Sequence, residues 1–177
     1  MPQPGDRPAA NPYATRSVVL GRNGMIATSQ PLASAAGLKV LQDGGNAIDA
    51  AVTAAAVLAV VEPSMTGIGG DLFAIVYDAK TKSLHALNAS GRSAYAATPD
   101  GATPSAARRA CPAAGVLSVT VPGVVEGWSE LLAKCGTHPM AQAVAPAVDL
   151  REERLSRSPR SSATSGRQRE EARQPIR

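Results

Sequence analysis

An α/β fold of the α+β kind is what the sequence predicts, and three observations predict it. A helical segment stops at Gly44-Gly45, and a second segment, Ala47 to Val61, is apolar on every face. A glycine-rich bend, Thr66-Gly67-Ile68-Gly69-Gly70-Asp71, then leads into the apolar run Leu72 to Asp78, which has the length of a strand.

Each element follows from local chemistry. The run Met25 to Thr28 reads as a short strand. Pro31 then occupies a first helical position, where its missing N–H costs nothing. The first helix runs to about Asp43, with Leu32, Ala35, Ala36, Leu38 and Val40 as its apolar stripe, and Gly44-Gly45 ends it because glycine accepts the left-handed C-terminal conformation. Asn46 is suited to cap the second helix, since its side-chain oxygen can accept from free first-turn N–H groups. That helix calls for cover on all sides, hence a structure of several layers. Glu62-Pro63 stops it. A hairpin follows, Leu72 to Asp78, a turn over Ala79 to Lys82, and Ser83 to Asn88. Residues 97 to 115 form a proline-rich loop, and Val116 to Val121 reads as another strand. A third helix begins after Pro122, places Val124, Trp128, Leu131 and Leu132 on one face and stops at Gly136, and Pro139 to Leu150 begins a fourth.

The 177 residues divide into three parts: 1–16, a disordered arm; 17–149, the folded part; and 150–177, a disordered tail rich in arginine. The net charge of +4 belongs to that tail, where eight arginines from Arg151 onward face four glutamates. Two readings fit it: an ordinary basic tail, or out-of-frame translation beginning near Leu150. No base-reading motif accompanies these arginines, so no nucleic-acid partner is expected. Cys111 and Cys135, with His85 and His138, are too few and wrongly spaced for a zinc site, and free thiols in a reducing compartment are the simpler reading. No metal or cofactor is expected. The N-terminal sixteen residues hold no apolar run that could serve a signal peptide, and Ala47 to Val61 falls short of a membrane span, so a cytoplasmic location with no membrane partner is expected.

Few residues carry chemistry. The glycines of TGIGGD come in the order helix, glycines, strand, the reverse of a dinucleotide loop, and read as a tight bend. Ser90 and Ser93 lack a nucleophile elbow and a nearby histidine. Asp49, on an apolar helix, reads as a buried carboxylate satisfied by hydrogen bonds. Arg92, in LNASGRSAY, reads either as solvated surface or as a clamp for a carboxylate, which the planar guanidinium grips with two parallel hydrogen bonds.

Two long stretches carry a resemblance. GLKVLQDGGNAIDAAVTAAAVLAVVEPSMTGIGGDLFAIVYD, Gly37 to Asp78, closely resembles the start of the large subunit of the γ-glutamyltranspeptidases, a family of N-terminal nucleophile hydrolases. VPGVVEGWSELLAKCGTHPMAQAVAPAV, Val121 to Val148, is similar to that subunit's next shared segment. The resemblance implies a four-layer αββα sandwich, of which this chain would form part, and hydrolysis or transfer of the γ-glutamyl group of glutathione and related amides. It implies a proenzyme that cleaves itself and a new N-terminal threonine that acts as nucleophile, with its own α-amine as base. That threonine belongs to a small subunit and has no counterpart assigned here, so the resemblance implies a truncated, inactive chain lacking its small-subunit partner, with no catalytic residue of its own.

Arg92 matches the family arginine that grips the substrate α-carboxylate. Ser93 and Ala94 stand where a Glu and a Pro-containing run are common, and Asp71 stands in place of a further glycine. Both departures resemble the transpeptidase-like and acylase-like branch. Two alternatives therefore stand beside the γ-glutamyl reading: an acylase-type amidase with a non-glutamyl substrate, and a non-catalytic binding or scaffold module.

Overall fold

A computed structural model describes residues 19–95 and 118–152. The order of elements is α1 (Pro31–Gln42), α2 (Ala47–Val61), β1 (Leu72–Asp78), β2 (Ser83–Ala89), α3 (Val124–Cys135) and α4 (Met140–Glu152). The four helices make one layer, with α2 packed against α1, α3 and α4, and the antiparallel hairpin β1–β2 packs on α3 as a second. Among the described residues there are these two layers. The arm 1–16 and the loop 97–115 lie outside the described residues, as does the tail from residue 153 on. Leu150 to Glu152 complete α4, so the tail expected from residue 150 begins with helix.

Close approach decides how α1 meets α2. The stripe expected on α1 is offset in the structure: Ala33, Gly37 and Val40 are buried, while Leu32, Ala35 and Leu38 are exposed. A Cβ at Gly37 would stand 3.0 Å from the Ala50 carbonyl oxygen and 3.4 Å from the Ala54 Cβ. Helices this near select small residues at the crossing and leave the larger ones outside. Ile26 packs into the same junction, which accounts for Met25 to Thr28. Those residues run extended without a strand partner, because what they supply is a side chain wedged against α1 and α2 rather than a ladder edge. Gly44, with φ of 95°, ends the α1 region in the left-handed conformation.

On α2, Ala50, Val52, Ala54, Ala56 and Val57 are buried, together with Asp49 and Thr53. Cover is incomplete among the described residues, since Ala47 and Ala51 are exposed and Leu58 to Val61 are half-buried. Asn46 caps this helix, accepting from the N–H groups of Ile48 at 2.8 Å and Asp49 at 3.0 Å. Its own N–H donates to Asp49 Oδ2 at 2.8 Å, which completes a capping box.

The Asp49 carboxylate then reaches across to the turn between α3 and α4. It accepts from the N–H groups of Thr137 at 2.8 Å and His138 at 3.0 Å, and from the Thr137 hydroxyl at 2.5 Å. The Asn46 side-chain amide donates to the Cys135 carbonyl at 2.6 Å. Burial by itself pushes the Asp49 carboxyl up, and its hydrogen bonds to Thr137, Asn46 and His138 outweigh that and hold it down at about 2. The expected satisfied carboxylate is what the structure holds.

The other end of α3 is fixed by the glycine bend. Gly70 N–H donates to the Gly67 carbonyl at 3.1 Å, and the Gly70 carbonyl accepts from Gly123 and Val124 at the start of α3, each at 3.2 Å. Val124, Gly127, Trp128 and Leu132 are buried on this helix and Leu131 is half-buried, as the sequence pattern predicts. The hairpin register pairs Leu72 with Ala89 and Asp78 with Ser83, so β2 runs one residue beyond the expected Asn88. Ser118 to Val121 do not form the expected strand, and Val116 and Leu117 lie outside the described residues. A single bond from Val121 N–H to the Arg92 carbonyl, 2.9 Å, joins this segment to the one after β2. Gly91 lies beside that bond with φ of 73°, and a Cβ there would stand 1.7 Å from the Val121 carbonyl oxygen.

Two substitutions test these locks. Asp49→Asn turns an amide N–H toward backbone donors and is expected to lower unfolding free energy by about 2–4 kcal/mol in urea titration at pH 7. The wild-type chain also carries a pH signature. The folded pKa of Asp49 is depressed, so its contribution of about 2 kcal/mol is fully present above the unfolded value of 3.8 and is lost as pH falls through about 2. Urea midpoints measured from pH 5 to pH 2 should show a drop in that window that Asp49→Asn lacks. Gly91→Ala meets both a positive φ and a backbone clash, and is expected to cost about 1–3 kcal/mol, read as a lower Tm.

Candidate functional site

Arg92 sits where three constraints meet. The turn out of β2 carries the chain to Gly91, whose close approach to Val121 brings the 90–92 segment against the start of α3. The Arg92 carbonyl is held by Val121 N–H, so the backbone is fixed while the side chain stays exposed. Below it, a Cβ at Gly123 would stand 2.3 Å from the Ala89 carbonyl oxygen, so two backbones touch directly. The result is an open cleft of about 420 Å³. Its walls come from Leu87 to Arg92 on one side and from Val121 to Gly123 with Glu126, Gly127 and Glu130 on the other.

The charges in this cleft differ in their commitments. Glu130 pairs with Lys134 one turn along α3, at 2.9 Å. Among the described residues the remaining side-chain ion pair is Lys39 with Asp43, on α1 and just beyond it, so the Arg92 guanidinium and the Glu126 carboxylate have no ionic partner. A guanidinium exposed in a cleft and free of a carboxylate is suited to bind one from outside.

A second cleft, about 710 Å³, lies further along the hairpin between its inner face and α2 and α3. It is the larger, but its chemistry is largely spent within the chain. Lys134 is paired with Glu130, and Asp78 accepts from Lys80 N–H at 2.9 Å and the Thr81 hydroxyl at 2.8 Å to hold the hairpin turn. His85 shares a 2.9 Å hydrogen bond with Ser83 there, and His138 stands beside Asp49.

The sequence-predicted residues therefore separate. Arg92 and Ser90 line one cleft, Ser93 is exposed outside its walls, and neither histidine lines it. Nothing there pairs a nucleophile with a base, so the arrangement can bind and orient but not attack. Asp71 accepts from the Thr120 hydroxyl at 2.9 Å, which ties the glycine bend to the segment before α3. Glu126 is the residue that the sequence did not single out. It reads there as one more polar position on an amphipathic helix, and only the fold brings it to the same cleft as an arginine 34 positions earlier. No group of three or more His, Cys, Asp or Glu side chains suited to a metal occurs among the described residues, and no helix there is long and apolar enough to cross a membrane. Cys135 is a free, half-buried thiol, and Cys111 lies outside the described residues.

Known proteins share this architecture. The chain is 43% identical over 144 residues to the glutathione hydrolase proenzyme of Bacillus subtilis, a match covering 77% of this chain and 24% of that protein. The structure of cephalosporin acylase from Bacillus halodurans superposes with a TM-score of 0.80 at 39% identity, covering 97% of this chain and 32% of the acylase. Helicobacter pylori γ-glutamyltranspeptidase superposes with a TM-score of 0.75 at 35% identity, over 87% of this chain and 44% of the other. The chain thus spans about a quarter of the length of the curated relatives it matches. The γ-glutamyltranspeptidase family model matches residues 33–175, a span that takes in all four helices, the hairpin and the arginine-rich segment after them. With most of its length inside that match, the chain belongs to the γ-glutamyltranspeptidase family.

Proposed function

We propose that this chain supplies the substrate clamp and supporting scaffold of an enzyme that hydrolyses or transfers the γ-glutamyl group of glutathione and related amides. The observation that carries the reading is Arg92, an ionically unpartnered guanidinium on a backbone pinned at its own carbonyl, in a cleft walled by α3. In this reading the guanidinium takes the α-carboxylate through two hydrogen bonds, which fixes the substrate at one end. The γ-amide then extends away from Arg92 toward a threonine nucleophile carried by a segment outside these 177 residues. Threonine attack on the amide carbon, with its own α-amine taking the hydroxyl proton, gives a γ-glutamyl ester, and water or an amine resolves it.

A second reading, an acylase-type amidase with a non-glutamyl substrate, is favoured by the likeness to cephalosporin acylase and by Ser93-Ala94 following Arg92. Both readings assign chemistry to a nucleophile elsewhere. The purified chain incubated with a γ-glutamyl anilide is therefore expected to release no aniline, and release that survives every purity control and persists in Arg92→Ala would overturn the assignment. In equilibrium titration the same anilide should bind about tenfold more weakly to Arg92→Ala, the loss expected for a hydrogen-bonded ionic contact.

A further inference from the structure

Glu126 lies in the first turn of α3, on the wall of the Arg92 cleft, exposed and without an ionic partner among the described residues. The other carboxylate on that wall, Glu130, is committed to Lys134. The cleft therefore presents one free cation and one free anion, and each stands on a fixed support. Arg92 follows the Gly91 turn and is held at Val121, while Glu126 follows the helix start that is held at Gly70. A simple dianion would meet repulsion from Glu126, and a simple cation would meet it from Arg92.

We propose that Glu126 recognises the α-ammonium of the substrate, so that the cleft selects the zwitterionic head of an α-amino acid. The guanidinium takes the carboxylate and Glu126 takes the ammonium on the neighbouring carbon. This rests on the reading of Arg92 as a carboxylate clamp and adds to it a reason why an acyl group lacking the α-amine is discriminated against. Glu126 is a specificity-determining residue with no part in bond making, and it separates an aminoacyl substrate from its deaminated counterpart.

Calorimetric titration of the chain with three neutral-amide probes tests the assignment: L-glutamine, glutaramate, which lacks the α-amine, and 4-aminobutyramide, which lacks the α-carboxylate. Wild-type chain should prefer L-glutamine to either by about five- to tenfold, the range for charge-assisted contacts in an open cleft. Glu126→Gln should lose most of the preference over glutaramate while its Tm stays unchanged, because the side chain is exposed and unpartnered. Arg92→Ala should lose the preference over 4-aminobutyramide. If Glu126→Gln binds L-glutamine as wild type does while Arg92→Ala weakens it, the role of Glu126 is overturned and the clamp stands. If Arg92→Ala also binds L-glutamine unchanged, or the wild-type chain binds no L-glutamine, both are overturned.

Discussion

The hydrogen-bonded carboxylate of Asp49 is the contact on which the rest of the arrangement depends. A charge withdrawn from water is costly unless donors surround it, and here they come from two places 88 and 89 residues apart in sequence. One side is its own helix start; the other is the turn between α3 and α4. The carboxylate thus couples the beginning of α2 to the end of α3, and Asn46 reinforces the junction through Cys135. Since α3 is also held at its start by Gly70, it lies as a strut fixed at both ends. The hairpin packs on that strut, and the clamp arginine is positioned by the segment leading into it. Altering the packing around Asp49 would therefore be felt at a cleft it does not touch.

Much of this was legible in the sequence because it rests on short-range chemistry. Asn46 as a cap, Glu62-Pro63 as a stop, the hairpin turn over Ala79 to Lys82 and the face of α3 built on Val124, Trp128 and Leu132 all follow from neighbours within a few positions. The readings that fail concern contacts between distant segments. Ranking α1 by hydrophobicity picks Leu32 and Leu38, whereas the crossing with α2 picks Ala33 and Gly37 because only small side chains fit there. Met25 to Thr28 and Ser118 to Val121 have the composition of strands, yet one is used as a packing wedge and the other as a bracket for Arg92. Of the site, Arg92 was legible only through the family resemblance, and Glu126 was not legible, since its meaning comes from a neighbour across the fold.

The hairpin shows how this unit relates to a thicker architecture. Its inner residues, Leu72, Ala74 and Val76, are half-buried toward the helices, while Phe73, Ile75 and Tyr77 on the other face are each more than 60% exposed. Alternation of this kind belongs to a strand with apolar residues on both faces, which is the pattern of a sheet enclosed by layers on either side. The described residues supply one of those layers. The relation to relatives about four times as long accords with that geometry.

The separation of the partners at Asp49 also has a consequence for synthesis. At roughly 5–20 residues per second, about 4–18 s pass between the emergence of Asp49 and that of His138. During that interval α2 can pair with α1 through Ala50, Ala54 and Gly37, but its carboxylate remains hydrated and α3 has no anchor. The nascent chain is thus a two-helix intermediate with an unsealed apolar side, the kind of surface that chaperones hold, until one turn near its far end closes it.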